Sequence, residues 1–294
     1  MTTTPATPAT PATSATPTTR EYLLGHREDE LRRLEQQAQV LAPATTAFLT
    51  LAGIEPGMRV LDLGTGAGDV AFLVARRVGP TGSVVGIDAA AEALHLARWR
   101  ANRAKVGNVS FVEGDLLTAE LAGTFDAVVG RLILLYVDDP TAVVRRYAGL
   151  LRPGGVLLAL EYDMSAVGNL PPLPLSTRAA HWLVEAFRRT GHDPCLGARV
   201  GGVLASAGAD ATCLGLQVYL AADDPAGPRL LSATLRSLLP AIESTGIATA
   251  DEVGIDSLTD RLAADQLAAG ALVKPPTLVG AWGRWPATPV RGPA

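Results

Sequence analysis

The stretch Met58-Arg59-Val60-Leu61-Asp62-Leu63-Gly64-Thr65-Gly66-Ala67-Gly68-Asp69-Val70 constrains this chain more than any other. An apolar run of strand length ends in three glycines at alternate positions, and Val70 to Val78 then carries apolar residues at helical spacing. This predicts a strand, a tight turn and a helix. Glycines at such a turn permit positive φ and let a ligand approach the main chain without meeting a Cβ, while the new helix offers unpaired N–H groups. The turn therefore reads as a cradle. A dinucleotide fingerprint G-x-G-x-x-G/A can be laid on Gly66, Gly68 and Ala71, so the glycines alone leave a nicotinamide or flavin ligand open. Asp62, two residues before the first glycine, would repel a pyrophosphate and suit a cationic ligand.

The alternation continues along the chain. Gly79-Pro80-Thr81-Gly82 is a turn cluster, Ser83 to Ile87 a buried strand ending at Asp88, 89–105 a helix and Val109 to Glu113 a third strand closed by Gly114-Asp115. Phe125 to Val129 is a fourth strand, and Asp139-Pro140 opens a helix as a cap followed by an N1 proline. Arg152-Pro153-Gly154-Gly155 stops that helix, and Val156 to Glu161 is the fifth strand. Five β-α repeats predict a doubly wound, mostly parallel α/β sheet with every strand's C-terminal end on one edge, where function should sit.

On either side of this core the pattern changes. Residues 1–19 are almost entirely Thr, Ala and Pro and read as a disordered tail. Residues 20–53 read as an N-terminal helical cap, one amphipathic helix from Arg27 to Leu41 and a second from Ala44 to Ala52 beyond Pro43. Residues 54–163 form the core. Residues 164–294 supply a helix around His181 to Arg189, a strand from Thr212 to Leu220, a mostly helical stretch from Asp223 to Gly270 and a last strand from Pro275 to Trp285. A helical insertion between the last two strands would lie over the site as a lid.

Net charge −4 with pI near 5.6 gives no field to hold nucleic acid, and the longest apolar runs are strand-sized, which predicts no membrane-spanning helix. Two cysteines, Cys195 and Cys213, without a C-x-x-C pair indicate neither a disulfide framework nor a metal site, and a reduced cytoplasm is the default compartment. Self-association into a homo-oligomer stays open.

Val60-Leu61-Asp62-Leu63-Gly64-Thr65-Gly66-Ala67-Gly68 resembles the first motif of class I S-adenosylmethionine (SAM) dependent methyltransferases, of the UbiE-like and bacterial natural-product kind. Phe111-Val112-Glu113-Gly114-Asp115, Phe125-Asp126-Ala127-Val128-Val129 and Leu151-Arg152-Pro153-Gly154-Gly155 resemble the family's later motifs, and the likeness covers residues 20–163. It implies a seven-stranded Rossmann-like sheet and SAM as cofactor, held at Asp62, Gly64, Thr65, Gly66 and Gly68, at Asp88 and Ala89 near the ribose, at Asp115 and Leu116 near the base, and at Arg131 toward the methionine end. Tyr22 and Gln37 are similar to residues with which methyltransferases of the Tyr-x-Leu-Gly type close over the cofactor. The implied activity is methyl transfer to a small secondary-metabolite acceptor, O-methylation ahead of C- or N-methylation. A SAM-binding cyclase that has lost transfer and a nicotinamide oxidoreductase are the other readings. A phenol or enol acceptor needs a base, and the candidates are Glu161 and Asp163 after strand five and His181 or His192 in the insertion.

Overall fold

The computed structural model describes residues 28–285. Tyr22 and the tract 1–19 lie outside them. The chain opens with helix α1 (Glu28–Leu51), and the glycine stretch then folds as strand β1 (Arg59–Leu63), the turn Gly64–Gly68 and helix α2 (Asp69–Val78). The alternation goes on through β2 (Ser83–Asp88), α3 (Ala91–Ala104), β3 (Val109–Glu113), β4 (Phe125–Arg131), a 3₁₀ turn Leu134–Tyr136, α4 (Pro140–Ala148) and β5 (Leu151–Asp163). There follow β6 (Gly168–Leu170), α5 (Pro174–Arg189), α6 (Val200–Ser206), β7 (Thr212–Leu216), α7 (Ala226–Ser244), α8 (Ala250–Val253), α9 (Ile255–Ala269), β8 (Leu272–Lys274) and β9 (Thr277–Arg284).

Seven strands pair in the order β3-β2-β1-β4-β5-β9-β7. The first five run parallel, and β9 alone is reversed, antiparallel to both β5 and β7. Strand order turns back between β1 and β4, so the crevice at their C-terminal ends is where a doubly wound sheet binds its ligand. Central strands buried on both faces read as continuous apolar runs, and Val60, Leu61, Ala127, Val128 and Leu158 are fully enclosed. Among the described residues no helix is long and apolar enough to cross a membrane.

Several boundaries differ from the sequence expectation. The two N-terminal helices are one, and Pro43 lies inside it. Pro43 is on the solvent side while Leu41, Ala44, Phe48 and Leu49 are buried, so core packing outweighs the ~3 kcal/mol that an interior proline costs. Arg152 to Gly155 are not a stop before the strand but its bulged start: Leu151 pairs with Phe125 and Val156 with Ala127. The strand expected over Thr212 to Leu220 ends at Leu216, because Gln217 turns away to bond the Pro275 carbonyl at 2.8 Å. A two-stranded sheet of β6 and β8 was not foreseen.

Candidate functional site

The ends of β1 to β5 open into one cavity of ≈ 580 Å³, roofed by α1, α5, α7, α9 and the β6–β8 pair. The helices between β7 and β9 thus lie where the lid was expected.

The floor is the glycine turn. Gly64 has φ 62°, and a Cβ there would come within 2.5 Å of Ile133, so both backbone and space require glycine. Gly66 has φ 52° and faces open space, with nothing within 4 Å of where its Cβ would be. The missing side chain leaves room for a ligand. Asp88, ending β2, ties the turn in place: its Oδ2 accepts the Gly66 N–H at 2.8 Å and its Oδ1 the Ala90 N–H at 2.9 Å. A carboxylate has about four lone-pair sites, so two remain for ligand hydroxyls. From outside, Arg100 donates to the Ala67 carbonyl and pairs with Asp69, both at 2.8 Å.

Asp115 follows β3, lines the cavity beside Leu116, and caps the next turn by accepting the Leu117 N–H at 2.7 Å. Arg131, at the end of β4, donates to Thr45 of α1 at 3.1 Å. Burial pushes its guanidinium below the usual range, while Asp69, Tyr162 and Asp62 favour its charge. Gln37 donates to the Tyr162 hydroxyl at 3.1 Å, which joins α1 to β5 across the cavity. Burial pushes the Tyr162 hydroxyl up.

Nine of the expected cofactor residues therefore line this one cavity: Gln37, Gly64, Thr65, Gly66, Asp88, Ala89, Asp115, Leu116 and Arg131. Four expectations are corrected. Asp62 does not reach the cavity; it is 1% exposed, and its Oδ2 accepts the Thr65 hydroxyl at 2.6 Å beneath the turn. Burial lifts its pKa to about 7, so it braces the turn rather than meeting a cation. Gly68 is also off the wall: it enters α2 at φ 87°, and a Cβ there would press on Phe72 and Phe111.

Glu161 is the third. It is fully enclosed, and its Oε1 accepts the N–H groups of Ile133 and Leu134 at 3.0 and 2.7 Å. Burial raises its pKa to about 8 against those N–H groups and that of Leu135. The carboxyl fastens the loop that carries Leu132 at φ 56°, a strained value for a leucine. The cavity instead meets Tyr162, its neighbour on the other face of β5. His181, the fourth, is exposed on α5 beside Pro172 and Arg178, away from the cavity. Of the other base candidates, Asp163 turns to the Ser165 N–H at 2.9 Å, and His192 is buried against the Tyr136 and Phe187 rings.

Sequence reasoning did not find the opposite end of the cavity. Leu135, Tyr136, Met164, Leu183, Phe187 and Leu231 make it apolar, and Asn169, Thr234, Gln266 and Lys274 are polar members. These residues come from segments far apart in the chain, and no local motif marks them.

Known proteins bear on the fold and on the class of protein. A methyltransferase-domain family model matches residues 54–191. A nocamycin O-methyltransferase of Saccharothrix syringae is 40% identical over 131 residues, 44% of this chain and 44% of that protein. The ubiquinone/menaquinone C-methyltransferase UbiE of Pseudomonas putida is 38% identical over 117 residues, covering 39% and 46%. An arsenite methyltransferase of Aquipseudomonas alcaligenes is 41% identical over 109 residues, covering 34% and 32%. The chain thus spans less than half the length of each of these relatives. Among solved structures, the YcgJ protein of Bacillus subtilis superposes with a TM-score of 0.54 at 17% identity, covering 83% of this chain and 99% of that one. A phosphoethanolamine N-methyltransferase of Haemonchus contortus, solved with phosphomonomethylethanolamine and S-adenosylhomocysteine, gives 0.52 at 19%, covering 84% and 53%. Residues 54–191 thus match a methyltransferase domain, and the chain has the class I, seven-stranded Rossmann-like fold, whose strands β7 and β9 lie beyond that match.

Proposed function

We propose that this protein is a SAM-dependent methyltransferase acting on a small, mostly apolar acceptor, with oxygen the favoured nucleophile. The observation that carries the reading is convergence: the glycine turn, Asp88 and Asp115 from three strand ends face the same cavity as an apolar chamber closed by α5 and α7. A cavity of ≈ 580 Å³ lies in the range of small-molecule sites, about 300–1,000 Å³. Gly66 supplies the open cradle and Asp88 the spare lone pairs. In this reading Asp88 takes the ribose hydroxyls, Asp115 and Leu116 border the base, and Arg131 meets the methionine carboxylate. SAM brings an already activated methyl on a positive sulfur. What remains for the chain is to place a nucleophile in line, about 3 Å from that methyl, and keep water out.

The wall supports oxygen as the nucleophile. The acids on it, Asp69, Asp88, Glu92 and Asp115, belong to the first turns of α2 and α3 and to the ends of β2 and β3, and no described histidine lines it. With no obvious base at the apolar end, an acceptor that ionises readily is favoured, and the cations Arg33, Arg131 and Lys274 on the wall favour an oxyanion over an ammonium. An arsenite-like substrate fits poorly, because As(III) seeks thiolates and neither Cys195 nor Cys213 lines the cavity. Calorimetry with SAM and with NADH tests the cofactor. A library of phenols, enols, amines and activated alkenes, screened by mass for the gain of one methyl, tests the transfer. Tight binding of NADH in place of SAM would overturn the reading, and a rearranged product of unchanged mass would replace transfer with cyclisation.

A further inference from the structure

Helix α9 turns one stripe toward the molecule. Leu258, Leu262 and Gln266 recur every four residues along it, and all three are buried. Two are leucines, as a core stripe requires. The third is an amide, 1% exposed, on the cavity wall. Its Oε1 takes no hydrogen bond from any described residue. The hydroxyls nearby on α7 are already engaged: Thr234 donates to the Leu230 carbonyl at 2.8 Å, and Ser232 pairs with Thr259 at 2.5 Å. The backbone at Gln266 is fixed as well, since its carbonyl accepts the Ala271 N–H where the helix ends.

A buried carbonyl without a donor destabilises a fold, and more than about 90% of buried polar groups find a partner. Leucine at this position would continue the stripe and remove the deficit. An amide kept there, facing the cavity among Leu230, Leu231 and Val273, has its missing donor in whatever the cavity binds.

We propose that Gln266 is the residue by which the lid selects its acceptor: an apolar molecule carrying an O–H or N–H group that donates to Gln266 Oε1. The inference rests on the reading of this cavity as a methyl-acceptor site. It makes Gln266 a specificity residue at the roof, on the far side of the cavity from the glycine turn.

The test uses the full chain loaded with S-adenosylhomocysteine and titrated with aromatic probe pairs that differ in one donor: 2-naphthamide against 2-acetonaphthone, and 2-naphthol against 2-methoxynaphthalene. The donor-bearing member should bind about tenfold tighter. Gln266→Leu should erase that preference, leave S-adenosylhomocysteine affinity unchanged and raise the melting temperature. Wild-type protein that shows no preference, or binds neither pair, overturns the proposal. So does Gln266→Leu protein that keeps the preference, or that melts lower than wild type, since the amide then serves the fold. If S-adenosylhomocysteine itself does not bind, the methyltransferase reading fails instead, and the same titration on the unloaded protein still decides whether Gln266 reads a donor.

Discussion

Asp88 fastens the glycine turn through Gly66 and Ala90, and in the proposed function its remaining lone pairs take a ligand diol. Asp88→Ala should therefore weaken SAM binding by roughly 2–4 kcal/mol, a factor of about 30 to 1,000, read by calorimetry. An unchanged Kd in the folded variant would remove Asp88 from the site. Glu161 makes a pH prediction. Its carboxyl is lifted from the ordinary 4.5 to about 8 by burial, so between those values the folded state holds a proton that the unfolded state has lost. Unfolding free energy must then fall as pH rises from about 4.5 to 8. Glu161→Gln should remove the Glu161 share of that fall in denaturant titrations, leaving a comparable part of the same sign that Asp62 contributes between 3.8 and about 7. Because Glu161 holds a loop and not the reacting atoms, kcat in Glu161→Gln should stay within a few-fold of wild type, whereas a loss of about 10²-fold or more would mark it as a base. The sequence showed a carboxylate at a strand end but not which face it took, and one position along β5 decides between Glu161 in the protein and Tyr162 on the cavity. His181 was misplaced for the helical counterpart of that reason. Ala179, Trp182, Leu183, Ala186 and Phe187 form the buried side of α5 and leave position 181 outside.

Elements were legible where their cause is local and obscure where it is distant. The strand, the glycine turn and α2 are written into the twenty consecutive residues 59–78, and the Asp139-Pro140 cap opens α4 with Asp139 accepting the Ala142 N–H at 2.9 Å. By contrast, β6 and β8 are three residues each and lie about a hundred positions apart, so nothing in either segment names the other. Pro43 misled for the opposite reason: the local rule ends a helix there, and burial of Leu41, Phe48 and Leu49 overrides it. Replacing it separates two roles. Pro43→Ala restores an N–H to the helix and should raise stability in urea by about 1–3 kcal/mol if the proline is only tolerated. If it instead shapes α1 so that Gln37 reaches Tyr162, the same variant should lose affinity for SAM while gaining stability.

At the scale of the whole molecule, the sheet contributes the cavity floor and segments from both ends of the chain contribute its roof. Gln37 of α1 precedes the core, and Leu231 of α7 and Gln266 of α9 follow it. The α7–α9 part of the roof is held by side-chain packing on the apolar stripes of those helices and by the short β6–β8 pair, whereas α1 is tied to the main sheet through Tyr162 and Arg131. Such a region belongs to the less stable part of a fold, and a ligand bridging floor and roof should stabilise it most. S-adenosylhomocysteine at a hundred times its Kd adds about 2.7 kcal/mol by mass action. The distribution of that gain is the prediction. Hydrogen exchange should slow first in 64–67, 88–91 and 131–133, where floor and strand ends meet the cofactor. A donor-bearing probe added to the complex should then slow 227–234 and 262–269 in α7 and α9. The outer strands β3 and β7 should change little, because neither contributes a residue to the cavity. Protection that appeared at β7 and not in the lid would place the acceptor outside this cavity and leave the roof without the role assigned to it.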